Sequence, residues 1–437
     1  MERIRQVLET LEAAGYEAWL VGGCVRDRLM GTAPHDFDIT TSARPEEVMA
    51  VFSGCRIIET GLKHGTVTLL WDGEPLEITT FRGDGAYSDH RHPDEVRFTR
   101  SLREDLARRD FTMNAIAMDA RSDISDPFGG AGDIQNRIIR CVGEPARRFE
   151  EDALRILRGL RFAATLGFAI DGATREAMAE KRALLHYVSA ERVNVELTKL
   201  LCGKFVRQVL LGNVAVLGEV LPELIPMEGF DQRNYHHVYD VLEHTARVVE
   251  NVPPEPALRW AALLHDAGKP GCFTTDDAGV GHFYGHAELG REIAGKVLRR
   301  LRSDNATIKA VDELIRYHDN PIEPTEKAVR RALGKLTPEG FTKLMHLKRA
   351  DNLAQSPEFR GRQQEIDRLE EIAAALLAQK ACFTLRDLAV NGRDLMAMGI
   401  PAGPKVGEIL NALLDAVVSE RLPNDKATLL TEAKKMI

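Results

Sequence analysis

Apolar positions change their period along this chain, and the change divides it. Residues 4–14 repeat at helical spacing, 18–21 form an apolar run ending in Gly22-Gly23, and a short helical stretch reaches Met30 before Gly31 and Pro34 stop it. Residues 37–40 read as a second strand and 45–52 as a helix opened by Pro45. Residues 67–71 and 76–81 read as a hairpin turning at Asp72-Gly73, and the polar, glycine-containing 83–93 as a mobile loop. From about residue 150 the strand signals fade. Residues 151–166, 175–185 and 191–201 are helical, and 221–230, with two prolines, reads as a linker. Residues 237–352 form a helical block holding most of the histidines, and 384–437 place Gly399-Ile400-Pro401-Ala402-Gly403-Pro404 between two amphipathic helices. The pattern predicts an α/β head with a small mixed β-sheet, residues 1–140, then three all-α segments: 141–230, 231–356 and 357–437.

At 437 residues, 44% hydrophobic and 28% charged, the chain has enough apolar sequence for several globular cores. A net charge of −8 argues against a protein that coats nucleic acid non-specifically, but local basic stretches remain. Residues 97–109 carry five arginines, and 327–349 are rich in lysine and arginine. Six scattered cysteines without a C-x-x-C pair fit reduced thiols better than disulfides or a zinc ribbon. With no signal-like start and no apolar run long enough for a membrane span, the expected compartment is the cytoplasm, with no membrane partner.

The most pointed chemistry is in the head. Asp36 and Asp38 flank Phe37 on a predicted strand, where side chains at i and i+2 leave one face. Converging carboxylates repel unless one is protonated or a cation joins them, and Mg²⁺ suits hard oxygen ligands and phosphate substrates. Glu77, on a later strand, offers a third oxygen. Upstream, Gly22-Gly23 ends a strand and opens a helix, so backbone N–H groups can approach a phosphate, and Arg26 adds a cation. Alone, a D-x-D is more often a solvated strand edge and a glycine pair merely a turn.

In combination they are specific. Gly22-Gly23-x-Val25-Arg26-Asp27 followed by Asp36-Phe37-Asp38 resembles the superfamily of class II tRNA nucleotidyltransferases and bacterial poly(A) polymerases. Arg108-Arg109-Asp110-Phe111-Thr112-x-Asn114-Ala115 is similar to that family's second motif. Asp126-Pro127-Phe128-Gly129-Gly130 through Asp133 and Arg140 is similar to the third, and Glu151-Asp152-x-x-Arg155 to the fourth. The resemblance covers roughly the first 200 residues, with the motifs in family order. It implies Asp36 and Asp38 as Mg²⁺ ligands, Glu77 as their helper, and Gly22, Gly23, Arg26 and Asp27 around the triphosphate. It further implies that Arg109, Asp110 and Asn114 recognise ribose and phosphates. The implied partners are a tRNA 3′ end, CTP and ATP, with no DNA.

A template-free polymerase must choose its base with protein groups. Asp152, Arg155 and Arg158 stand at i, i+3 and i+6 of a predicted helix, hence near one face. A carboxylate accepts from the exocyclic amine shared by cytosine and adenine, and a guanidinium donates to the neighbouring ring acceptors. Outside the motif the same residues are simply a surface ion pair. Residues Thr60 to Val67, TGLKHGTV, resemble the CCA-adding version, as does a loop from Asp84 through Tyr87, Asp89 and Arg91 to Pro93. Addition of A alone, or of a poly(A) tail, stays open.

In the histidine-rich block, His244, His265-Asp266 and Asp351 resemble the HD metal-dependent phosphohydrolases. Imidazoles with carboxylates suit a divalent metal of the transition series or Mg²⁺. His286 and His318 stand where a subset of that superfamily places second-metal ligands, and Lys269 is positioned for a phosphate. The resemblance implies a phosphatase or a 2′,3′-cyclic phosphodiesterase, against an equally open role in shape and RNA docking. A phosphohydrolase whose head only binds nucleotide is the competing reading of the whole chain. Residues 390–424 resemble the tail of HD-bearing CCA enzymes, and amides at the Gly403 turn offer a phosphate contact beside the plainer role of a helical hairpin.

Overall fold

The computed structural model describes residues 2–34, 36–84 and 96–436. They fall into two compact units, Met1–Ile225 and Pro226–Ile437. No helix among the described residues is long and apolar enough to cross a membrane.

The first unit is built on a seven-stranded mixed sheet. Its strands are β1 (Ala18–Val21), β2 (Asp38–Thr41), β3 (Arg56–Gly61), β4 (Thr66–Trp71), β5 (Glu74–Thr80), β8 (Ala117–Met118) and β9 (Ile124–Ser125), in the spatial order β3-β4-β5-β2-β1-β8-β9. A separate antiparallel pair, β6 (Arg82–Asp84) and β7 (Val96–Phe98), follows β5 in the chain. Only β2 and β5 run parallel, with Asp38 opposite Glu77. Ile39, Leu69 and Ile78 are fully buried in the sheet core, while Asp38 and Glu77 at its end stay exposed. The hairpin of β4 and β5 turns at Asp72-Gly73, with φ of 51° and 82° at the two residues, as a two-residue primed turn demands.

Four expectations change here. Strand β2 starts at Asp38, so Asp36 precedes the strand. The reason is loss of partners: β1 ends at Val21, opposite Asp38, where Gly22 turns away, and the register of β5 would bring Pro75, which has no N–H, opposite Asp36. Gly83 and Asp84 belong to β6 rather than to a loop, whereas Tyr87, Asp89, Arg91 and Pro93 lie outside the described residues. The single helix expected over 151–166 is two: α6 (Pro145–Glu151) and α7 (Leu154–Leu166). Asp152 between them is extended, at φ −147°, and its carboxylate accepts the Leu154 N–H at 3.1 Å, starting the chain helix afresh. The stretch expected to be a linker is a 3₁₀ turn, Pro222–Met227, with Leu221, Leu224 and Met227 buried around the boundary of the units.

The second unit is helical apart from a small hairpin of Thr274–Thr275 with Gly281–His282. Helices Val241–Asn251, Pro256–Leu264, His286–Arg300, Asn305–His318 and Glu326–Leu353 surround a core that includes Trp260, Leu263, Val297 and Leu347. The last of them kinks at Thr337, whose φ is 64°, just before Pro338. Three further helices, Gly392–Ala397, Pro404–Val418 and Lys426–Lys434, bury Leu395, Ile409, Leu413 and Leu429 together.

Candidate active site and metal centre

In the first unit a cavity of about 650 Å³ is lined by Asp36, Asp38 and Glu77, with Arg3 and Trp71 among its other walls. The sheet explains the meeting: Asp38 and Glu77 are register partners on parallel strands, and Asp36 stands two residues before Asp38. Asp38 opens onto the cavity, but the protein around it displaces water. Desolvation raises its carboxyl above the usual carboxylate range, Arg109 opposes that rise, and the negative charge of Asp36 adds to it. Two carboxylates this close repel each other unless a cation joins them, so the oxygens of Asp36 and Asp38 suit a hard divalent cation.

Gly22 joins this site to its arginines. Its φ of 79° and ψ of −138° are costly for a residue with a side chain. A Cβ there would stand 3.2 Å from the Arg109 guanidinium and 3.6 Å from Asp38 Oδ2. Behind the turn runs a chain of polar contacts. Arg26 donates to Asp27 Oδ1 at 2.9 and 2.7 Å and to Asn114 Oδ1 at 2.8 Å; Asn114 donates to Asp110 Oδ1 at 3.1 Å. Arg158 donates twice to Asp110 Oδ2, at 2.8 and 2.6 Å. Burial opposes the charge of Asp110, but Arg158 and the Asn114 hydrogen bond outweigh it and bring its carboxyl down to about 2. The ring of Phe162, on α7, has Arg26, Arg158 and Arg161 around it, at 5.2, 5.6 and 4.0 Å from the ring centre.

The residues expected to read the base are arranged differently from the expectation. Asp152 lies in the break between helices, and its Oδ2 accepts from Arg192 of α9 (Ala190–Leu201) at 2.9 Å. Arg155 is buried, donating to Glu151 Oε2 and to the Arg108 carbonyl, both at 2.9 Å. Arg158 turns to Asp110, so the three do not form one helical face.

Two supporting carboxylates escaped the sequence reading. Asp105, fully buried, takes two hydrogen bonds from Arg108, at 3.1 and 2.8 Å, and reaches Arg109 at 3.5 Å. Its signal was the i+3 and i+4 spacing to those arginines. Glu196 meets Arg161 at 2.6 Å, and its signal was a carboxylate within the apolar stripe of Val193, Leu197 and Leu200.

The second unit holds a tighter cluster. His244 Nε2 lies 2.9 Å from Asp351 Oδ1 and 3.4 Å from Asp266 Oδ2, and His265 Nε2 lies 3.2 Å from Asp266 Oδ2. On the other side, His286 Nε2 is 3.6 Å and His318 Nε2 4.0 Å from Asp266 Oδ1. Two sets of mutually close ligand atoms result, His244-His265-Asp266 and Asp266-His286-His318, sharing Asp266. Every imidazole is held from behind. Nδ1 of His244, His265, His286 and His318 meets the carbonyls of Ala354, Ala262, Phe283 and Ile315 at 3.4, 2.8, 2.9 and 2.7 Å. That bond fixes Nδ1 as the protonated nitrogen and turns the Nε2 lone pair inward. His244 Nε2 and His265 Nε2 are buried and make no aligned hydrogen bond, as lone pairs aimed at a cation would. Lys269 stands 2.7 Å from Asp266 Oδ2 and donates to Gln232 at 3.0 Å. Despite burial, His265 and Lys269 hold the Asp266 carboxyl well below its usual range. Burial and the neighbouring His265 lower His318 to about 4.

A glycine turn between strand-borne carboxylates and an arginine wall, on a mixed sheet with a helical extension, defines a nucleotidyltransferase. Residues 18–140 match the poly(A) polymerase head domain, 167–226 an RNA- and SrmB-binding site of polymerase A, and 273–433 domain 2 of tRNA nucleotidyltransferases. The chain is 37% identical to the CCA-adding enzyme of Lactiplantibacillus plantarum over 435 residues, covering 98% of this chain and 95% of that one. With the CCA-adding enzyme of Geobacillus stearothermophilus it shares 38% identity over 428 residues, covering 96% and 93%. The crystal structure of the Bacillus stearothermophilus CCA-adding enzyme in complex with CTP superposes with a TM-score of 0.73 at 32% identity, over 99% of this chain and 96% of that one. The chain belongs to the CCA-adding enzyme family of tRNA nucleotidyltransferases.

Proposed function

We propose that this chain adds C, C and A to tRNA 3′ ends from CTP and ATP, in the cytoplasm, using Asp36, Asp38 and Glu77 as its catalytic carboxylates. The observation that carries the reading is the convergence of these three side chains on one cavity beside the Gly22 turn. In the reaction the RNA 3′-hydroxyl oxygen bonds to the α-phosphorus, the α–β bridging bond breaks and pyrophosphate leaves. Asp36 and Asp38 would hold Mg²⁺, which when bound would neutralise phosphate charge and acidify the hydroxyl. Glu77, exposed on the neighbouring strand, accepts the hydrogen bond of the attacking hydroxyl. The N–H groups that open α2 (Gly23–Leu29), with Arg26 and Arg109, hold the triphosphate; Asn114, itself bonded to Asp110, keeps Arg26 aimed, and Asp105 keeps Arg109 aimed.

For base choice, Asp152 serves as the acceptor for the amine of C or A and Arg155 as the donor beside it. Arg192 donates to Asp152 and Arg155 donates to Glu151, so both side chains are held in place before a nucleotide arrives. Residues 1–140 act as head, 141–230 as nucleotide-selecting neck, 231–356 as the HD-like domain and 357–437 as tail. Incubation with tRNA lacking its 3′ CCA and each labelled NTP tests the reading: C, C and A are incorporated in turn. Incorporation of ATP alone, or of a long A tail, contradicts it.

The second unit supports a second activity, metal-dependent hydrolysis of phosphate esters on nucleotide 2′ or cyclic 2′,3′ ends. The observation favouring it is the four imidazoles locked with Nε2 inward around Asp266. His244, His265, Asp266, His286 and His318 would hold a metal, which would supply an acidified water at neutral pH, and Lys269 stands beside Asp266 for the phosphate. Phosphate release that survives Asp38→Ala and disappears in His265→Ala checks the assignment.

A further inference from the structure

The mouth of the histidine-rich cavity carries an aromatic ring that the metal chemistry does not use. The cavity, about 590 Å³, has Asp266, Lys269, His286, His318 and Asp351 among its lining, and Tyr284, His282 and Arg316 line it too. Tyr284 is 79% exposed, an unusual state for a large aromatic side chain beside a site of buried ligands. Its ring lies parallel to that of His282, 9° apart in plane with centres at 5.4 Å, and His282 is itself held by Asp276 at 3.1 Å. One face of Tyr284 therefore has a backing.

The ring's place relative to the metal ligands is fixed by the backbone. His282 ends the small hairpin, and Gly281 beside it presses on the loop 232–234: its N–H donates to the Arg233 carbonyl at 2.8 Å, and its carbonyl accepts from Asn234 at 3.0 Å. A Cβ at 281 would fall 2.1 Å from the Gln232 carbonyl oxygen, so only glycine permits this approach. The side chain of the same Gln232 accepts from Lys269, so one short loop sets both the hairpin and the lysine. On the other side, only Gly285 separates Tyr284 from His286, a member of the ligand cluster.

We infer that Tyr284 is the base-stacking platform of this cavity, so that its substrate is a nucleotide whose phosphate lies at the His/Asp cluster and whose base lies on the tyrosine. This rests on the phosphohydrolase reading of the cluster and adds to it the part of the substrate that gives affinity. A flat aromatic face binds every base, so the site is tolerant of base identity and selective for nucleotides over phosphate esters without a ring. Lys269 and Arg316 provide the cations of the same cavity for the phosphate.

The test compares the full-length chain with its Tyr284→Ala and Tyr284→Phe variants, which leave the core intact because the side chain is exposed. Calorimetric binding of adenosine 2′-monophosphate, with and without Mn²⁺, is measured beside binding of glycerol 2-phosphate, which has no base. The head contributes equally in all three proteins, so the difference between them reports the second unit. The inference predicts that Tyr284→Ala removes the second-unit binding of the adenosine compound or weakens it roughly 10- to 100-fold. Tyr284→Phe retains that binding, and glycerol 2-phosphate behaves alike in all three. Equal binding of adenosine 2′-monophosphate by wild type and Tyr284→Ala overturns it, as does an equal loss for both ligands. Phosphate release from the same two compounds is followed separately. Binding that depends on Tyr284 without any turnover defeats the phosphohydrolase reading and leaves the stacking site standing.

Discussion

The two units each bring acidic side chains together where a cation could sit, by opposite means. In the head, Asp38 and Glu77 stand exposed at the end of two parallel strands with Asp36 just before them, and the donors are all oxygens. In the second unit, His244 and His265 are fully buried, and each imidazole is locked by a backbone carbonyl behind it. Among the described residues, sets of three or more ligand atoms mutually within 4.8 Å occur only in the second unit. The contrast matches the chemistry proposed for each. A polymerase exchanges a triphosphate and an RNA end at every cycle, so its carboxylates must leave room for substrate oxygens to complete the coordination. The phosphohydrolase proposed for the second unit would keep its metal between turnovers, held by fixed imidazoles.

That contrast breaks first if the two activities are not separable. Replacing Asp36 and Asp38 together with Ala removes the charge neutralisation of the leaving phosphates, several kcal/mol of transition-state stabilisation, so labelled CTP incorporation into tRNA falls by about 10³-fold or more. Phosphate release from the second unit stays at the wild-type level. His265→Ala does the reverse: elemental analysis shows loss of tightly held metal, with affinity down by about 100-fold, while CTP and ATP incorporation continues.

A smaller effect sharpens the account of the head. Gly22→Ala forces a side chain into a positive-φ position and against Arg109, a strain of about 1–3 kcal/mol. It lowers kcat for nucleotide addition roughly 10- to 100-fold with circular dichroism unchanged, whereas Gly54→Ala, at an open surface turn, does neither.

The smallest effect is on stability with pH. Asp110 is lowered in the folded state to about 2, so its contribution is fully present above its unfolded value of about 4 and is lost as pH falls from there through 2. The shift corresponds to roughly 2 kcal/mol. Urea unfolding between pH 5 and pH 2 shows this loss in the wild type, and Asp110→Asn flattens that part of the profile.

Much of this was legible in the residues. Strand β1, the glycine turn, α2 and the β4-β5 hairpin followed from apolar period and turn chemistry, because each is fixed by neighbours in sequence. What escaped was set by tertiary partners. Strand β3 is an edge strand made by pairing with β4, and Asp36 falls outside β2 because β1 ends. Helical periodicity runs unbroken through Asp152, and only its side-chain cap on Leu154 shows the break. The histidines were visible as residue types, but Asp266 as the shared member of two clusters needed the packing of four helices.

The most direct measurement is a crystal structure of the chain with CTP and Mn²⁺, read by anomalous scattering. The account predicts a manganese peak between the Asp36 and Asp38 oxygens, with the triphosphate against the N–H groups that follow Gly22. Bound CTP with those carboxylates turned away and no peak beside them would contradict it.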